Sequence, residues 1–172
     1  MPKVALQSEY FVPLEEAVEA LEAVRRVASR WPSWPSSESW EVLNSGEISV
    51  FHCEVRVIPR DNLSGLSPFA DQDSLSIHFT WGDWSHEAAI KIMITELEQV
   101  LRPFRVRPHF GKLNFLSVED LRAAYPAGNM DAFLALCHEH DPHGKFQNAL
   151  FERQVASPET SGPVVVVDLY PA

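Results

Sequence analysis

Two short runs carry the residues best suited to chemistry. The first is Arg107-Pro108-His109-Phe110-Gly111-Lys112, and the second, Asp141-Pro142-His143-Gly144-Lys145-Phe146, follows about thirty residues later. A lysine directly after a glycine in a strand-like segment leaves room for another group to approach closely. An ammonium so placed can hydrogen-bond a reacting hydroxyl oxygen and hold a developing anion. Two further segments alternate polar and apolar residues. They set His52, Glu54 and Arg56, then Ser76, His78 and Thr80, on one face. Gln7, Glu9 and Phe11 can join that face from a third segment, and Lys112 from a fourth. Such a group can clamp hydroxyls and polarise a carbinol oxygen. A solvated sheet face is the simpler account of the alternation, with cross-strand ion pairs contributing only a few tenths of a kcal/mol or so. Lys112 fits that account worst.

A metal site is the weaker alternative. His138, His140 and His143 lie close together with Asp141, and His109 can approach in space, but the spacing matches no zinc pattern. A polar helix end followed by a turn explains them as well, so no metal is expected.

The elements that must position these groups read in order. Residues 6–12 form a strand that Pro13 ends; Leu14, Val18, Leu21 and Val24 then recur at helical spacing to about Ser29. Residues 31–46, rich in tryptophan, proline and serine, are loop chemistry. Residues 48–58 and 75–81 are strands joined by a long connection, 61–73, and long loops in compact domains are often functional. Ser85 can cap a helix whose apolar face is Ile90, Ile94, Leu97 and Leu101. Residues 105–113 are a fourth strand. This is β-α-β-β-α-β, an α+β fold with a ferredoxin-like antiparallel sheet and two helices on its apolar face. A capping-box start at Ser117, a helix from Met130 to His138, a turn at 141–144 and a helical stretch 146–155 make a C-terminal helical segment. The organisation expected is 1–115 for the sheet domain, 116–156 for the helices and 157–172 for a tail that holds Val164–Val167.

Bulk properties narrow the field. The chain has 172 residues, 24 acidic against 14 basic, and a formal charge of -10, which repels polyphosphate and argues against nucleic-acid partners. No run approaches the ~18 apolar residues of a membrane span. Cys53 and Cys137 fall among apolar residues and read as reduced, buried thiols, which points to a cytoplasmic home.

Five collinear runs carry a family resemblance. They are Leu6–Pro13, Ile77–Trp81, Arg107–Lys112, Asp120–Pro126 and Asp141–Asn148. Together they resemble the C-terminal part of the vanillyl-alcohol-oxidase-type flavoenzymes, most closely the alditol (xylitol) oxidase and D-arabinono-1,4-lactone oxidase family, over roughly residues 5–155. The resemblance implies FAD on a separate N-terminal domain, a substrate (cap) domain over the flavin, and C-terminal helices that return to the FAD domain. It implies oxidation of a carbinol by hydride transfer to flavin, with O2 reduced to H2O2. Carried over residue by residue, Glu54, Arg56, Thr80 and Lys112 are the catalytic set. His109, Lys112 and Asn148 are the flavin contacts, and Lys145 lies in the return to the FAD domain.

Several features depart from the family pattern. Phe110 stands where the family usually has tryptophan, and residues 31–46 and 164–167 lack a counterpart. The FAD-binding domain is expected outside this chain, in cis or in trans, and the chain alone is expected to be inactive. An aldonolactone oxidase portion is the sibling alternative. A non-catalytic ferredoxin-like module, which binds a ligand or partner or self-associates through the flavin-facing surface, is the non-enzymatic one.

Overall fold

The computed structural model describes residues 6–31, 52–61, 65–81 and 87–155. The expected strand start at 48–51, the loop from 32, the Ser85 cap and the 157–172 tail lie outside the described residues.

Strand β1 (Gln7–Pro13) ends at its proline, which has no N–H to continue a ladder. A 3-10 turn, Leu14–Glu16, leads into helix α1 (Ala17–Ala28). Strands β2 (His52–Ile58) and β3 (Ser74–Thr80) follow, then helix α2 (Glu87–Leu101), a second 3-10 turn and the short strand β4 (Arg107–Pro108). The sheet order is β2-β3-β1-β4, with every paired strand antiparallel. This is the α+β, split βαβ arrangement.

Both helices cover one face. Tyr10, Val12, Ile77, Phe79 and Trp81 from the sheet meet Ala20, Val24, Val27, Ile90, Ile94, Leu97 and Leu101 from the helices. The polar tips in this core are satisfied: Tyr10 Oη donates to Glu98 Oε1 at 2.7 Å and Trp81 Nε1 to Ser8 Oγ at 2.7 Å. The α2 face is the expected one. The α1 face is not: Val18 is 70% exposed, and the inward stripe is Ala17, Ala20, Ala23, Val24, Val27 and Ala28. Alanines let the helix axis sit close to the sheet, and the larger apolar residues do not define the stripe.

Two further expectations change. Helix cover does not extend over β2, whose apolar side (Cys53, Val55, Val57) is exposed, with Val57 64% accessible. Cys53 is therefore not a buried thiol, and Cys137 is only half-buried. The fourth strand is far shorter than 105–113. Arg105 adopts a left-handed conformation (φ 51°) that redirects the chain into β4, and Pro108 offers no N–H to the ladder. Beyond it, His109–Lys112 is a tight turn closed by Lys112 N donating to His109 O at 3.0 Å.

The C-terminal segment packs against the β4 side. Helix α3 (Val118–Ala124) starts in the expected capping box, with Ser117 and Asp120 exchanging hydrogen bonds. Helix α4 (Asn129–His140) buries only Met130. Helix α5 (Ala149–Gln154) is shorter than 146–155, because Asn148 caps it by accepting from Phe151 N at 2.9 Å.

Candidate active site

The second face of the sheet is built by register. Glu9 of β1 lies opposite His78 of β3, which lies opposite Glu54 of β2. The rows on either side bring Phe11, Ser76 and Arg56 together, and Gln7, Thr80 and His52. Because the side-chain period is two, all of these point away from the helices.

Glu9 is the hub. Its side chain is 6% exposed. Lys112 Nζ donates to Glu9 Oε2 at 2.6 Å, Ser76 Oγ donates to Oε1 at 2.6 Å, and Arg56 lies 3.6 Å from Oε1. Arg56 also forms a close pair with Glu54, and His52 Nε2 lies 3.1 Å from Glu54 Oε1. His78 Nδ1 sits 3.3 Å from Glu54 and 3.4 Å from the Arg56 guanidinium, so its tautomer decides which it serves. His78 Nε2 is buried without a hydrogen-bond partner.

The electrostatics follow from this geometry. Burial pushes the Glu9 carboxyl up, but the Lys112 and Ser76 hydrogen bonds outweigh it and hold the group below the usual carboxylate range. The Arg56 guanidinium, helped by His78 and His52, pulls Glu54 down to about 2. Glu54 in turn raises Arg56. Both carboxylates are therefore held in their charged form, and each lies against a cationic side chain.

The structure thus brings Glu54, Arg56 and Lys112 into one network. Thr80 is on the same face, half-buried, in the row beside them. Lys112 is in the turn after β4 and not in a strand. The close approach that Gly111 permits is to His109: a Cβ there would sit 3.2 Å from the His109 ring, whose Nδ1 accepts from Gly111 N. Asn148 lies apart, exposed, as the α5 cap. Lys145 is exposed too, and its backbone N–H, with that of Phe146, is held by the Asp141 carboxylate. That carboxylate closes the 141–146 turn. Among the described residues no group of three or more His, Cys, Asp or Glu could hold a metal ion.

Sequence reasoning underrated three positions. Glu9 was legible only as an acid at an alternating position in β1. Asn114 and Gln154, both buried, tie the Lys112 turn to α5: Asn114 Nδ2 donates to Lys112 O at 3.2 Å, Gln154 Nε2 donates closely to Asn114 Oδ1, and Arg153 donates to Asn114 O at 2.8 Å. No local pattern announces such a contact. On the helix side, Glu98 accepts from Phe115 N at 2.8 Å and fixes the same segment from beneath.

One protein family and two known proteins match the chain. The D-arabinono-1,4-lactone oxidase family profile matches residues 5–154. An alditol oxidase of Streptomyces sp. is 36% identical over 143 residues, covering 83% of this chain and 30% of that protein. A long-chain alcohol oxidase of an uncultured marine euryarchaeote is 32% identical over 98 residues, 56% of this chain and 20% of that protein. The chain spans about a third or less of the length of these curated relatives. No helix among the described residues is long and apolar enough to cross a membrane.

Proposed function

The chain belongs to the D-arabinono-1,4-lactone oxidase family, and from that premise we propose that residues 1–115 form the substrate (cap) domain of an FAD-dependent polyol oxidase. Residues 116–156 would return to an FAD-binding domain supplied in cis or in trans. The observation that carries this reading is the Lys112–Glu9–Arg56–Glu54 network on the sheet face turned away from the helices.

Each cation in the network already has a carboxylate. A substrate carboxylate would find no unmatched charge among these four residues, whereas a neutral polyhydroxylated molecule finds alternating donors and acceptors. Arg56 and Glu54 would orient hydroxyls, and Thr80 would add one hydrogen bond. Lys112 has three N–H donors, of which Glu9 takes one. The others would reach the reacting carbinol oxygen and the electron-rich N1–C2=O edge of a flavin, where a half-buried ammonium fits. FAD, when bound, supplies the hydride acceptor and passes the electrons to O2, giving H2O2. His109 Nε2 and the Asn148 side-chain amide are the remaining groups assigned to flavin contact. Helix α4 buries only Met130, and Leu136, Phe146 and Leu150 are exposed, which supports the docking of this segment on a further domain.

The test joins the chain to an FAD-binding polypeptide and measures H2O2 from xylitol, sorbitol and D-arabinono-1,4-lactone. The chain alone is expected to be colourless and inactive, and the joined protein to oxidise the open polyols. Lys112→Ala should slow flavin reduction by about 100- to 1000-fold, the range for removing one donor to a developing oxyanion. Unimpaired reduction in that variant would overturn the role given to Lys112. A preference for the lactone would move the assignment to the sibling activity, and a yellow, active preparation of the chain alone would sink the cap-domain reading.

A further inference from the structure

Glu9 touches neither expected reactant, yet it holds both ends of the turn that carries Lys112. Its backbone carbonyl accepts from His109 N at 2.9 Å, and its carboxylate accepts from Lys112 Nζ at 2.6 Å. The next contact in the same ladder, Leu113 N donating to Gln7 O at 2.9 Å, closes the turn onto β1. Glu9 also sits in the middle of a seven-residue strand with neighbours on both sides, and six of those seven residues are buried. A carboxylate that deep needs its charge answered, and Lys112, Ser76 and Arg56 answer it from the turn, β3 and β2 respectively. The turn itself has little else to aim the lysine: Gly111 and Lys112 are exposed and half-buried, and His109 spends its Nδ1 on Gly111.

We propose that Glu9 is a positioning residue, which fixes Lys112 at the hydride-transfer site and meets Arg56 through the same carboxylate. The inference rests on the reading of Lys112 given above. Glu9 takes one N–H of the Lys112 ammonium, which leaves the other two for the reacting groups. Loss of the carboxylate frees a long, rotatable side chain and leaves the groups that bind substrate hydroxyls in place. The effect should therefore fall on the chemical step and not on substrate binding.

Two measurements test this. The first uses the chain itself and needs no flavin. The Lys112 side-chain ammonium signal in a 15N NMR spectrum should be protected from water exchange, and Glu9→Gln should abolish that protection by roughly ten- to a hundredfold, the range for losing one charge-assisted hydrogen bond. Exchange unchanged by Glu9→Gln overturns the link between the two residues. The second uses the flavin-loaded oxidase. Glu9→Gln should lower kcat by about ten- to a hundredfold with KM nearly unchanged. Glu9→Asp, which keeps the charge on a shorter arm, should recover part of it. Combining Glu9→Gln with Lys112→Ala should be no slower than Lys112→Ala alone. A rise in KM at constant kcat, or additive losses in the double variant, overturns the positioning role. If Lys112→Ala alone leaves turnover intact, the assignment of Lys112 fails instead, while the exchange measurement still reports on the Glu9 contact. Ser76→Ala guards against misfolding, because it removes a second support of Glu9 without touching the charge and should give the same kcat loss in smaller measure.

Discussion

Asn114→Ala is the most informative perturbation of the scaffold behind the site. Asn114 and Gln154 are both almost wholly buried, at 2% and 1% exposure. The substitution removes the bond to Lys112 O and leaves Gln154 Nε2 without an acceptor, beside a Gln154 Oε1 that already lacks a partner. A buried orphaned donor costs about 1–3 kcal/mol and an ordinary lost bond about 1 kcal/mol, so the variant should lose roughly 2–4 kcal/mol. Against a typical total of about 5–15 kcal/mol this is a large fraction, equivalent to a fall in Tm of roughly 5–15 °C for a domain of this size. Urea unfolding followed by tryptophan fluorescence gives the number directly. The same measurement on Gln154→Ala and on the double variant completes a cycle, and the pair should couple by more than about 1 kcal/mol. Strict additivity, or a single-variant loss below about 0.5 kcal/mol, would refute the claim that α5 and the Lys112 turn are joined through these amides.

Three further outcomes are expected. Glu9, Glu54 and Asp120 titrate below their ordinary values of 4.5, 4.5 and 3.8. Each therefore stabilises the fold fully above its unfolded value, and that contribution is lost as pH falls through the folded one, which for Glu54 is about 2. The thermal midpoint should drop chiefly below about pH 4.5; a drop already complete between pH 7 and 5 would show that other groups control it. Glu98 runs the opposite way, because burial raises it above 4.5 despite its Tyr10 and Phe115 bonds. Glu98→Gln keeps an oxygen for both donors and should be nearly neutral at pH 7. Glu98→Leu should cost about 1–3 kcal/mol for each orphaned donor, and equal midpoints for the two variants would count against this account. Gly111→Ala should cost little in stability, since only the His109 ring must shift by a few tenths of an ångström; a loss of the folded state would mean that the turn is tighter than it looks.

Periodicity revealed what periodicity controls. The α2 stripe, the β3 alternation and the sheet order follow from spacing and from the sequence of elements, and the polar face follows from the same alternation. What spacing could not supply is depth. Val18 and Val24 look alike in a helical pattern, yet one faces solvent and the other the core, because the small residues Ala17, Ala20 and Ala23 fix which side can approach the sheet. Cys53, Val55 and Val57 read as core because they alternate, but they lie on a strand at the sheet edge beyond the reach of α1 and α2 among the described residues. The 105–113 segment reads as one strand because its composition is extended. Pro108 and the His109–Lys112 turn interrupt the pairing, which touches β1 again at Leu113. Asn114, Gln154 and Glu98 became visible only when distant segments met.

That difference in depth bears on how the site keeps its geometry. Glu54 and Arg56 ride on β2, where no residue is buried, whereas Glu9 rides on β1, where six of seven are. An edge strand with one uncovered face gives its side chains little packing to fix their rotamers. Their precision must come from polar contacts, and those contacts run inward: Arg56 to Glu9, His78 to Glu54, Ser76 to Glu9. Lys112, on a turn beyond the opposite side of the sheet, reaches the same carboxylate. The two flanks of the site are thus referenced to one buried oxygen pair at the sheet centre. A substitution that only loosened β2, such as Val57→Ser on its exposed side, should leave substrate handling largely intact. Substitution of Glu9 should free Lys112 while Arg56 keeps its close pair with Glu54, so turnover falls and substrate binding holds.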